Sequence, residues 1–201
     1  MPRDKTASHV RILAAARDEF LAHGFEKASM RRIGERCGMT AAGIYRHCTD
    51  KADLFNQVAE PAVRRLKEWL DAHVSRYVSA AQSGTIAWQD SEIDMMREVV
   101  YPHMEEYRLL LTCAQGTRYA HFLHDLTQTA QCQLTEYFSL LSSRGHPVRE
   151  ISPQEMHLLM SAYTTALFEP VVHGYSPEEA LRCLDTVETF FLPGWKALLG
   201  F

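Results

Sequence analysis

The chain has 201 residues, a net charge of −4 and 46% hydrophobic residues, enough for a substantial core and for a small module beside a larger one. The charge excludes an indiscriminately basic nucleic-acid binder, but it is unevenly spread: residues 1–55 carry 10 Lys and Arg against 7 Asp and Glu, residues 56–201 carry 11 against 18, a mildly basic head on an acidic body. Cys37, Cys48, Cys113, Cys132 and Cys183 are odd in number and form no C-x-x-C pair, so no disulfide framework or zinc knuckle is expected; charges interrupt every apolar run short of membrane-spanning length, and a soluble, cytoplasmic protein with no membrane partner is expected.

Residues 6–23 show helical spacing, with Ile12, Leu13, Ala16, Phe20 and Leu21 as one stripe and Arg11, Arg17, Asp18 and Glu19 mostly outside it. Gly24 stops this helix. Ser29 caps a second helix with Met30, Ile33 and Cys37 inward, and Gly38 ends it in the left-handed conformation that glycine adopts cheaply. Thr40 caps a third, read as Ala41 to Cys48, with Ile44 and Cys48 inward and Gly43, Tyr45, Arg46 and His47 outward. Two short helices joined by a tight turn form a helix-turn-helix. The small residues on the third helix let it approach base edges while its polar tips supply hydrogen bonds.

In combination, the Gly24-Phe25 pair, the turn SMRRIGERCGMT, the helix GIYRH and the segment DKADLF resemble the DNA-binding domain of the TetR family of bacterial transcriptional regulators, over about residues 6 to 55. Many relatives carry Phe where this chain has Cys48; the smaller thiol forfeits a few kcal/mol, on the order expected for a lost aromatic side chain, unless Phe20, Phe25, Met30 or Met39 repack. A redox role for Cys37 and Cys48 is weaker than the reading of both as inert buried thiols.

Asp50 caps a long helix through Leu54, Val58, Val63, Leu66 and Trp69, interrupted by Pro61, whose ring excludes the bond to the Gln57 carbonyl and predicts a kink and a hinge. Further helices are expected at about 88–101, 102–115, 118–144, 153–173 and 177–199, with no strand. The fold class is therefore all-α, and the resemblance implies a three-helix DNA-binding head over residues 1–55 followed by a helical-bundle domain for ligand binding and dimerisation over residues 56–201.

Candidate DNA contacts are Ser29, Arg31, Arg32, Thr40, Gly43, Tyr45, Arg46, His47 and Lys51. Tyr45 and His47 offer polar tips on flat rings, and Lys51 places an ammonium at a helix start, beside the N–H donors there. Trp88, Met95, Met96, Tyr101, His103, Met104, Tyr107, Cys113, Tyr119, Phe122 and Tyr163 have the composition of a pocket for a small molecule. Helical cores use the same side chains, and core packing is the better reading for any one of them.

His121, His124 and Asp125 do not follow a Glu-x-x-His pattern, and H-E-x-x-H, G-x-S-x-G, Walker and dinucleotide signatures are missing from the sequence. No catalytic residue, metal or cofactor is expected. The resemblance implies a homodimer, joined through the last two long helices, that binds near-palindromic double-stranded operator DNA as a repressor and is released by a small-molecule effector. An activator is an open variant, and the alternative is a helical small-molecule-binding or adaptor protein that has lost operator binding.

Overall fold

The computed structural model describes residues 5–82 and 91–199. Every regular element among the described residues is helical. Their contacts divide the chain into two compact units: residues 1–64 with 105–121, and residues 65–104 with 122–201. The first unit contains the whole of the expected head and adds 56–64 and 105–121.

In the first unit, α1 (Lys5–Lys27) buries Ile12, Ala15, Ala16 and Phe20, a 3–4 spacing that keeps them on one face. Gly24 departs from helical geometry at φ 70, ψ 165, so the helix path breaks there as expected. The freed Phe25 N–H donates to the Cys113 carbonyl at 2.9 Å. α2 (Met30–Cys37) and α3 (Ala41–Ile44) follow, and then the start of α4 (Lys51–Gln82). α4 buries Leu54, Phe55, Ala59 and Ala62 completely. Asp50 caps it as expected, its Oδ1 accepting from Asp53 N at 2.7 Å, and the helix runs on as one element past Pro61.

Residues 105–121 complete this unit. α6 (Met104–Thr112; α5 lies in the other unit) places Tyr107 so that its hydroxyl donates to the Ala62 carbonyl at 2.9 Å. The rings of Phe20, Phe25, Phe55 and Tyr119 meet at centroid distances of 5.0 to 6.3 Å, within the range of favourable aromatic pairs. Arg118 lies over the Tyr119 ring and donates to Glu60 Oε2 at 3.0 Å.

The second unit holds α5 (Ser91–Met95), α7 (Phe122–Ser143), α8 (Pro153–Val172) and α9 (Pro177–Leu199). Pro102 does not separate two helices as expected. The chain after α5 widens into a π turn over Met96–Val100 and tightens into a 3₁₀ turn over Tyr101–His103, where a residue without an N–H fits without an orphaned partner. α7 begins four residues later than expected, because hydrogen-bonded turns take up the chain before it, Thr117 N to Ala114 O at 2.9 Å and Ala120 N to Thr117 O at 3.2 Å.

Both C-terminal helices open on the same device. Ser152 and Glu155 exchange side-chain and backbone hydrogen bonds at 2.8 and 3.2 Å, Ser176 and Glu179 at 2.9 and 3.3 Å, and Pro153 and Pro177 occupy the first helical position. Met96, Tyr101, Met160, Leu167, Phe168, Val171 and Leu184 form the core. Tyr101 donates to the Leu167 carbonyl at 3.1 Å.

Candidate nucleic-acid interface

Ser29 is extended at φ −119, ψ 121, and its Oγ accepts from Arg32 N at 3.5 Å to start α2. The helix buries Ile33 and Cys37 and leaves Met30 half-buried. It ends at Gly38, at φ 68, ψ 33, where the Met39 N–H returns to the Gly34 carbonyl at 2.9 Å; a left-handed residue of this kind satisfies carbonyls that the helix leaves open. Thr40 Oγ1 accepts from Gly43 N at 3.1 Å and starts α3.

α3 is shorter than the expected 41–48. Its helical bonds give way after Ile44 to tighter ones, Arg46 N to Gly43 O at 3.4 Å and His47 N to Ile44 O at 2.7 Å. A 3₁₀-type turn and a glycine one residue before the end explain the early finish. The inward and outward faces stand as expected: Ile44 and Cys48 are buried, Tyr45 is half exposed at 50%, and Arg46 is exposed. His47 is half-buried and stacks on His9 of α1 with ring centroids 5.9 Å apart. Its carbonyl accepts from Gln57 Nε2 at 3.2 Å, which also reaches Asp53 Oδ1. Asp53 in turn accepts from Thr49 N at 2.7 Å, and that backbone bond, with the one from Gln57, holds its carboxyl below its ordinary value.

The remaining candidates have internal partners as well. Lys51 Nζ donates to the Glu26 and Ala28 carbonyls at 3.0 and 3.3 Å and sits 4.7 Å from the Phe25 ring centroid. It thus neutralises the carbonyl end of α1, while a third N–H of the ammonium is available to a phosphate. Arg31 pairs with Glu35 at 3.5 Å on the exposed side of α2. Arg32 turns inward: Nε donates to Glu19 Oε1 at 2.7 Å and Nη2 to the Lys27 carbonyl at 2.8 Å.

Glu19 is the residue the sequence misplaces. Expected outside the apolar stripe, it is fully buried. Burial pushes its carboxyl up, but the bonds from Arg32 and the Ser29 amide outweigh that and hold it below its ordinary value. The signal was its position seven after Ile12 and three after Ala16, which is on the stripe. Cys48 is buried, and burial, then Asp53 and Asp50, push its thiol up to about 11, which favours the protonated form near neutrality.

Of the expected pocket residues, Tyr107, Cys113 and Tyr119 belong to the first unit, buried, the two tyrosines bonded to Ala62 and to Glu60 and Arg118. Met95, Met96, Tyr101 and Tyr163 are buried in the second unit, with His103, Met104 and Phe122 half-buried there. Trp88 lies outside the described residues. Two open clefts of about 400 and 420 Å³ lie elsewhere, one along Tyr175, Glu179, Arg182 and Cys183, the other along Asp125, Gln128, Cys132 and Glu136.

The model of the bacterial regulatory proteins of the tetR family matches residues 12–58, which span α1 from Ile12 through the capped turn and into α4. The match covers 47 of the chain's 201 residues. A stretch of 63 residues is 38% identical to the HTH-type transcriptional repressor AcnR of Corynebacterium glutamicum, a match over 31% of this chain and 34% of that protein. The chain thus matches about a third of that relative's length. Over nearly the whole chain, the fold is similar to that of a TetR-like transcriptional regulator from Rhodococcus sp. RHA1, at TM-score 0.57 and 17% identity, covering 98% of this chain and 99% of the other. NalD of Pseudomonas aeruginosa, the secondary repressor of the MexAB-OprM multidrug efflux pump, gives TM-score 0.54 and 18% identity over 98% and 99%. No helix among the described residues is long and apolar enough to cross a membrane.

Proposed function

We propose that this chain is a cytoplasmic, homodimeric transcriptional repressor that binds a near-palindromic operator in double-stranded DNA and leaves it when a small-molecule effector binds. The carrying observation is Tyr45, half exposed on the outer side of α3 directly after the fully buried Ile44, at the tip of a motif capped at Ser29, Gly38 and Thr40. Tyr45, His47 and Arg46 are assigned to the major groove, with Gly43 allowing close approach. Thr40, Ser29, Arg31 and Lys51 are assigned to phosphates.

The name of the AcnR relative supports repression. Leu158, Leu181 and Phe190, exposed on α8 and α9 at 68%, 39% and 77%, support a self-pairing face. The effector is assigned to the second unit, among Met95, Met96, Tyr101, His103, Met104, Phe122 and Tyr163, where it shifts the population away from the operator-matched form. This role needs no catalytic residue.

The experiment is selection of bound sequences from random duplex DNA, followed by affinity against scrambled DNA across salt, with Tyr45→Ala as control. A palindromic consensus lost in Tyr45→Ala is the expected result. Weak, salt-driven binding without a consensus would overturn the reading and turn attention to the helical second unit.

A further inference from the structure

A capping box satisfies a helix start from within: the third helical residue, normally Glu or Gln, reaches back to the N–H of the N-cap. In α2 that third residue is Arg32, which can only donate. The acceptor for the Ser29 N–H comes instead from α1. Glu19 Oε1 accepts from Ser29 N at 3.0 Å and Arg32 Nε at 2.7 Å, with Arg32 Nη2 in ion-pair contact at 2.6 Å, and Nη2 donates to the Lys27 carbonyl. One fully buried carboxylate oxygen therefore joins α1 to the N-cap and the third residue of α2. The other oxygen, Oε2, accepts no hydrogen bond, and His23 Nε2 lies 3.8 Å from it.

We infer that Glu19 is a positioning residue for operator reading, and that Arg32 serves Glu19 instead of a DNA phosphate. The inference rests on the operator-binding role proposed above. α2 cannot rotate about its axis or slide along α1 without parting two charge-assisted hydrogen bonds and an ion pair from one oxygen. Its orientation passes through the Gly38 turn to Thr40 and so to Tyr45. The stack of His47 on His9 ties the far end of the motif to α1 a second time. Arg32 has its charge met inside the protein, whereas Arg31 and Arg46 on the same motif are exposed.

Arg32→Lys separates the two roles. A lysine keeps a point charge able to meet a phosphate, but it cannot reproduce the fork that bonds Glu19 and the Lys27 carbonyl together. Wild type, Arg32→Lys, Arg32→Gln and Glu19→Gln are to be measured on the selected operator and on scrambled DNA across salt, with the binding-competent fraction counted by stoichiometric titration. Glu19→Gln and Arg32→Lys are expected to lower the operator-to-scrambled affinity ratio by about tenfold, the scale of a lost hydrogen bond to a charged group. Arg32→Gln is expected to leave the salt slope on scrambled DNA unchanged. Mere loss of folded protein lowers the competent fraction and leaves the ratio alone, which would overturn the positioning role. A wild-type ratio in Arg32→Lys, or a slope reduced by about one ion in Arg32→Gln, would put Arg32 on a phosphate and overturn it too. Absence of any operator preference in the wild type would show instead that the operator reading itself has failed, and both would fall together.

Discussion

Gly38→Ala isolates the backbone cost of the turn. Gly38 sits at φ 68, ψ 33, a region that costs an L-residue about 1–2 kcal/mol. A methyl built there meets no atom within 4 Å, so crowding adds nothing. Alanine also restricts the unfolded chain, which offsets roughly 0.4–1 kcal/mol, leaving a net loss of about 1 kcal/mol. With a urea slope of about 1–3 kcal/mol per molar, the midpoint should fall by roughly 0.3–1 M with the slope unchanged. Gly38→Asn should lose clearly less, because asparagine tolerates the left-handed region. The assay is urea titration followed by far-UV circular dichroism, with hydrogen exchange at the Met39 amide, which bonds Gly34 O at 2.9 Å, as a local reporter. Equal stability of Gly38→Ala and wild type, or equal losses for Ala and Asn, would refute the assignment of the cost to the positive φ.

Glu19, held below its ordinary value of 4.5, contributes stability that is fully present above about that pH and is lost as pH falls through its lowered folded value; Glu19→Gln should flatten the acid limb of a stability–pH curve, and an unchanged limb would count against the buried bonds. Brief alkylation of the native protein near neutrality should mark the exposed Cys132 first and spare the buried Cys37, Cys48 and Cys113; rapid labelling of Cys48, read by peptide mass spectrometry, would contradict its raised value. Lys51→Gln should weaken operator and scrambled DNA alike and reduce the salt slope by about one ion, whereas an unchanged slope would confine the ammonium to the Glu26 and Ala28 carbonyls. Ser152→Ala should destabilise the protein by about 1 kcal/mol through the lost cap of α8, measured by thermal unfolding, with no effect on DNA affinity at temperatures where the chain is folded.

What the sequence made legible was local. Ser29, Gly38, Thr40 and Asp50 act within three residues of themselves, so their types and spacing were sufficient to read the caps and the turn. The boxes at Ser152 and Ser176 are equally local, each written as Ser-Pro-x-Glu, a pattern that neither apolar spacing nor the Gly and Pro breaks register. Glu19 was harder: its spacing marked a buried face, but a carboxylate belongs there only if a cation arrives, and Arg32 lies 13 residues away. The same holds for Tyr107. Its composition suited a ligand pocket, while its hydroxyl is satisfied by a carbonyl 45 residues distant. The shortening of α3 depended on turn bonds that no periodicity encodes.

Residues 105–121 belong to the same compact unit as the helix-turn-helix, with Tyr107 bonded to Ala62, Cys113 to Phe25 and Tyr119 against Phe55. The head is therefore not a cassette that can be cut from the N-terminus and grafted onto another body. A fragment ending at Arg64 lacks the Cys113 carbonyl that the Phe25 N–H meets and the Tyr119 ring beside Phe55, and a chimaera should carry its own 105–121 segment or a compatible one. On the ribosome, the partners that Tyr107, Cys113 and Tyr119 supply to this unit arrive only once residues 105–121 have emerged.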